Sequence, residues 1–190
     1  MATVNGLTTI IDTIRNYQIK NIPRGNYLAW ASYKNDGYVM DPDWIFKNSG
    51  ALEINFTSDS IASLNFSVTN AIKIISPTNS PDTILPVSVD SLNPTFSWNP
   101  YTQAKEYIIE VKDLNGNVIW GGFDENGTIR HAKIPRETTS IKFNFDGTAK
   151  SLLKHDEVYQ WKIYADDDAL NNVQTLLSSS EDLLGLFKIN

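Results

Sequence analysis

The stretch Asn93–Trp120, NPTFSWNPYTQAKEYIIEVKDLNGNVIW, constrains the fold of this chain more than any other. Phe96 and Trp98 alternate with Thr95 and Ser97, and Tyr107, Ile109 and Val111 alternate with Glu106, Glu110 and Lys112. A period of two belongs to a strand with one face buried and the other wet. Asp113-Leu-Asn-Gly-Asn117 predicts a hairpin, because Asn-Gly accepts the positive φ angles of a type I′ turn, and Val118–Trp120 then returns antiparallel. Further on, Tyr159, Trp161, Ile163 and Ala165 alternate with Gln160, Lys162 and Tyr164, and Ile141, Phe143 and Phe145 alternate in the same way. Phe187 and Ile189 supply a last strand, while the Ser178-Ser-Ser-Glu-Asp182 run before them reads as a loop. Short strands punctuated by turn signals predict sheets packed face to face rather than strand–helix–strand units.

The chain divides at residues 75–94, ISPTNSPDTILPVSVDSLNP, which hold four of its eight prolines. Such a stretch cannot run as a continuous central strand. The expected organisation is therefore a first domain over 1–75, a Pro/Ser-rich linker over 76–83 and a second domain over 84–190. In the first half, Thr8–Thr13, Asn16–Ile22, Asn26–Tyr33, Glu53–Thr57 and Ser63–Ile75 read as strands, with a tight turn at Arg24-Gly25-Asn26. Lys34–Gly50 reads as a long irregular connection carrying Tyr38, Trp44 and Phe46. The expected fold class is all-β, with two β-sandwich domains in tandem.

Composition narrows the partners. A formal net charge of −6, with no basic cluster, argues against nucleic acid, since nothing offsets phosphate repulsion. The absence of cysteine removes disulfides, thiolate nucleophiles and sulfur metal sites together. No run approaches the roughly 18 apolar residues of a membrane helix, and the start MATVNGLTTIIDTIR lacks the basic and apolar blocks of a signal peptide.

Two family resemblances rest on particular residues. Pro94-Thr-Phe-Ser-Trp98, Ala104-Lys-Glu-Tyr107-Ile-Ile-Glu-Val111 and Leu153–Ala165 make residues from about 84 to 190 resemble a fibronectin type III or related immunoglobulin-like domain. The resemblance implies a Trp filling the core between two sheets, and a hydroxyl at Tyr159 bonded to backbone upstream. Tyr17-Gln-Ile-Lys-Asn-Ile-Pro23-Arg-Gly25-Asn-Tyr27-Leu-Ala-Trp-Ala31 makes residues from about 3 to 74 resemble a carboxypeptidase-regulatory-like (transthyretin-like) domain. The opening strand and hairpin of that family are missing, as though the chain began inside the domain. Together the pair resembles modules of exported bacterial lipoproteins and secreted enzymes, which implies an extracytoplasmic location.

Little in the chain reads as catalytic. His131 and His155, its two histidines, sit in no recognisable motif, and no nucleophile elbow, zinc-protease helix or phosphate loop occurs. Asp166, Asp167 and Asp168 could offer carboxylate oxygens to calcium, although three charges also simply solvate a loop. Asp36, Asp41 and Asp43 are spaced like oxygen ligands, but Pro42 marks a turn there. Asp113, Asn115 and Asn117 are better explained by the hairpin. Sugar rings stack on exposed aromatic faces, so Tyr38, Trp44, Phe46 and Trp120 are the candidate ligand-binding residues, weighed against Trp44 serving as a packing plug. The reading is a non-catalytic structural or interaction module with no cofactor, whose partner is a protein or glycan at the cell surface; a carbohydrate-binding module is the alternative.

Overall fold

The computed structural model describes residues 10, 16–31, 36–47, 53–57, 61–167 and 175–190. It is all-β apart from one six-residue helix among those residues. Two compact units divide the chain: residues 1–30 with 49–65, and residues 31–48 with 66–190.

In the first unit, β1 (Gly25–Leu28) pairs antiparallel with β3 (Glu53–Phe56), and Tyr27 meets Phe56 edge to face, with ring centroids 5.9 Å apart. The β1 strand follows the predicted turn, where the Tyr27 hydroxyl donates to the Pro23 carbonyl at 2.8 Å. Residues 16–22, expected as a strand, are irregular, although the Tyr17 hydroxyl donates to the Leu64 carbonyl at 2.6 Å. Of the strand expected over 8–13, only Ile10 lies among the described residues.

Among the described residues the second unit contains three sheets, and the two larger ones enclose its main core. One sheet orders β11 (Ser140–Lys142), β7 (Thr95–Trp98) and β5 (Ile74–Ser76). The larger is built on β8 (Glu106–Asp113) and β12 (Val158–Asp166), antiparallel from Tyr159 opposite Asp113 to Asp166 opposite Glu106. On the free side of β8 lie β9 (Val118–Gly121) and β10 (Ile134–Pro135); on the free side of β12 lie β13 (Leu176–Ser179) and β14 (Leu186–Ile189). The strand β6 (Val87–Val89) then pairs parallel with β14. The two sheets meet through aromatics. Phe96 packs against Trp161 at 4.9 Å, Phe187 at 5.7 Å and Trp120 at 6.2 Å, and Trp98 against Tyr107 at 5.3 Å. This arrangement is compatible with a β-sandwich, and large rings of this kind bury the most apolar area per residue ordered.

Several expectations meet a different reality. The segment 76–83 is packed into the second unit. The indole N–H of buried Trp161 donates to the Pro77 carbonyl at 2.6 Å, and Asn79, itself buried, donates to Thr83 and Leu183 and accepts from the Leu186 N–H. Prolines forbid a ladder, but they do not prevent side chains from tying an edge segment down. The Lys34–Gly50 connection contains a strand, β2 (Tyr38–Met40), and the helix α1 (Pro42–Lys47); β2 pairs with β4 (Val68–Asn70). The stretch expected as one strand over 63–75 is thus split between β4 and β5. The Ser178–Asp182 run is no simple loop, since Ser178 and Ser179 end β13 and Ser180 and Glu181 are also buried.

Two local readings also change. Over Glu106–Val111, strand β8 is buried on both faces rather than wet on one: Ile108 packs with Leu176, Phe123, Ile129 and Tyr164, and Glu106 and Glu110 are buried too. At the hairpin after β8, Gly116 has φ 82° but Asn115 is not left-handed. Asp113 accepts the N–H groups of both Asn115 and Asn117, and Gly116 donates back to its carbonyl. That is a three-residue loop closing on a left-handed glycine, instead of a two-residue type I′ turn.

Candidate functional site

The predicted aromatic platform separates into unlike environments. Trp120 is a core residue, only 1% exposed, because β9 lays it against Phe143 and Phe96. Its indole N–H donates to Asp146 at 3.1 Å, so its one polar edge is already used. Trp120 is therefore no exposed ligand platform, since the strand that carries it is folded over the core. Trp44 is half-buried on α1 and packs against Phe66, with ring centroids 6.0 Å apart. Tyr38 is exposed on β2, and Phe46 lies on α1. Immediately before the helix, Asp41 accepts from the Ser67 hydroxyl at 3.1 Å, and burial with the neighbouring Asp43 charge pushes its carboxyl up.

The predicted acidic set is likewise divided. Asp166 is fully buried at the end of β12, in register with Glu106 on β8. Asp167 pairs with Lys105 at 2.7 Å on the surface, and Asp168 lies outside the described residues. Among the described residues, no three acidic or histidine side chains gather as a metal would require.

Around Glu106 there is a cavity of about 310 Å³, lined also by Tyr107, Thr128, Ile129, His131 and Lys133. Lys133 approaches Glu106 Oε2 at 3.0 Å, while Oε1 of this buried carboxylate has no hydrogen-bond partner among the described residues. His131 shows what the grouping does. Its Nε2 accepts the Ile109 N–H at 3.1 Å, and its Nδ1 lies 2.6 Å from the Ala132 carbonyl, which can only accept. Those two bonds define the neutral ring with the proton on Nδ1. Burial, the larger influence, pulls the His131 pKa down despite the Ala132 bond and nearby carboxylates. With both nitrogens committed to backbone, the ring fills a gap in the β8 ladder. That gap opens because β9 turns away at Gly121 and Gly122, at φ 67° and 66°. A Cβ on Gly121 would stand 2.0 Å from the Ile109 carbonyl oxygen. The other histidine, His155, is exposed, and its Nδ1 donates to the Asn190 carbonyl.

A second cavity, about 480 Å³, opens at the end of β11 and was not singled out from the sequence. Its floor is Phe143 and Leu153, both buried, and its rim carries Leu92 (45% exposed), Phe145 (45%) and Leu152 (69%). Asn93, Asn144 and Lys142 complete it, and Lys142 is its one charged lining residue. The alternation Ile141-Phe143-Phe145 predicted three inward side chains. The strand instead stops at Lys142, and Asn144 adopts φ 53°, so Phe145 turns outward beside Trp120, with ring centroids 5.9 Å apart. Asn is among the few residues that take this conformation readily, a signal the alternation masked.

No protein-family model, no curated protein and no solved structure matches this chain. No described helix is long and apolar enough to cross a membrane.

Proposed function

We propose that this chain is a non-catalytic structural or interaction module of an exported, surface-associated bacterial protein, and that its second unit is an immunoglobulin-like or fibronectin type III-like domain. The observation that carries the interaction reading is the groove at the end of β11, where Leu92, Phe145 and Leu152 stand exposed together. Large apolar side chains grouped around a concavity mark contact sites. The strand order supports the domain reading: three strands face a larger sheet, and the Tyr159 hydroxyl accepts the Lys154 N–H at 3.0 Å, a corner bond of the kind the resemblance implies. The resemblance of the first half to a carboxypeptidase-regulatory-like domain stands beside these as a reading of the sequence. Fold alone gives no function, so the groove, and not the strand order, is what favours an interaction role.

A carbohydrate-binding role is the second reading, favoured by Tyr38 and Trp44 with Trp120 set aside. A glycan array on the whole chain separates the two. No retained glycan, with Trp44→Ala altering stability alone, is the result expected of an interaction module; a glycan retained by the chain and lost with Trp44→Ala would replace the reading. Fractionation of the source cells with an antibody to the chain tests export, which cytosolic recovery would refute.

A further inference from the structure

We propose that the open edge of β11 and the groove at its end form a docking site for an extended acidic–apolar peptide segment of a partner protein. The inference rests on the interaction-module reading and names the surface and the partner's chemistry. Two independent features converge on Lys142. The first is the edge. Among the described residues, β11 pairs only with β7. Its inward bonds fall at Thr139, whose carbonyl accepts the Trp98 N–H, and at Phe143, whose N–H donates to Pro94. Because antiparallel pairing alternates, Ser140 and Lys142 aim their backbone N–H and C=O groups the other way. Both residues are exposed, and among the described residues their outward backbone groups make no other backbone bond, so a second strand can add there.

The second feature is the groove that this edge runs into. Leu92, Phe145 and Leu152 offer a socket for one apolar anchor, and Leu153 and Phe143 close its floor. Charge then selects the partner. Lys142 makes no ion pair among the described residues and is the groove's one charged lining residue, on a chain whose net charge is −6. A carboxylate beside the anchor would meet the unmatched ammonium group, and a basic segment would meet repulsion at the same point. Backbone pairing supplies affinity, and the socket with its Lys142 rim supplies specificity.

The test is selection of a displayed random peptide library on the whole chain, followed by titration of the selected peptides into isotopically labelled protein. Expected are peptides that place Asp or Glu near an aromatic or aliphatic anchor, with the largest amide shifts at Ser140, Lys142 and Phe145. Leu152→Asp, at a side chain 69% exposed, should leave the thermal melt unchanged and weaken those peptides about tenfold or more. Lys142→Glu should reverse the charge preference of a repeated selection. A library that yields no binder, binders indifferent to both substitutions, or amide shifts confined to other strands would each overturn the docking site. Binders mapped to another surface would do so while leaving the interaction module intact; the module reading itself falls to the glycan array and the fractionation.

Discussion

The Nε2 of His131 accepts the backbone N–H of Ile109 at 3.1 Å, a side chain standing in for a strand on the edge of β8. Because the ring is buried and its pKa is held below the ordinary value of 6.5, the unfolded chain takes up a proton more readily than the folded one. Stability from this bond is therefore full above about pH 6.5 and declines as the pH falls below it. Denaturant titrations at pH 7.5 and 5 should show the loss. His131→Gln should flatten that difference, and His131→Ala, which strands a buried N–H, should cost about 1–3 kcal/mol at pH 7.5.

Asp146 ties three segments together. It accepts from the Trp120 indole at 3.1 Å, from the Ala132 N–H at 2.7 Å and from both the N–H and hydroxyl of Thr148. Burial raises its pKa, but these bonds outweigh burial and hold the carboxyl below the usual carboxylate range. Its contribution is present above about pH 4 and lost as acid titrates the folded group, a lower window than that of His131. Asp146→Ala should cost about 1.5–3 kcal/mol at neutral pH and remove part of the acid-side slope.

Asn79 tests whether 76–83 is a linker or part of the second unit. Its side-chain amide donates to Thr83 at 2.8 Å and to Leu183 at 3.0 Å, while its oxygen accepts the Leu186 N–H at 3.0 Å. Asn79→Ala should destabilise the unit by about 1–3 kcal/mol, because partners stay buried without it. Hydrogen exchange should accelerate at the Leu186 amide. A linker asparagine would change neither.

The two tryptophans of the predicted platform should behave differently. Trp120→Ala removes a ring from the core, for which large-to-small substitutions cost about 3–5 kcal/mol. Trp44→Ala, at a half-buried ring on a short helix, should cost distinctly less. Thermal melts of both variants decide the order, and a milder Trp120 variant would return that residue to the surface.

Much of the second unit was legible because its signal is local. Phe96, Trp98, Tyr107, Ile109, Trp161, Ile163 and Phe187 all point into the core that their alternation predicted. What the period of two could not show is whether the other face is covered. Glu106 and Glu110 read as wet, yet both are buried, and Ile108 between them packs with Phe123, Ile129 and Leu176, which other segments of the chain supply. The fate of residues 76–83 was hidden for a related reason: Pro77 and Pro81 announce that a ladder stops, while the Asn79 bonds that hold the segment depend on strands a hundred residues away. The candidate site was less legible still. Leu92, Lys142, Phe145 and Leu152 share no motif, and only the left-handed turn at Asn144 brings Phe145 out among them.

Recognition through the β11 groove stands or falls on the affinity of library-selected peptides for the unaltered chain, Leu152→Asp and Trp44→Ala. It predicts that Leu152→Asp weakens binding about tenfold or more, whereas Trp44→Ala leaves it within about twofold, a difference too small to represent a lost contact. Binding that survives Leu152→Asp and disappears with Trp44→Ala would contradict it.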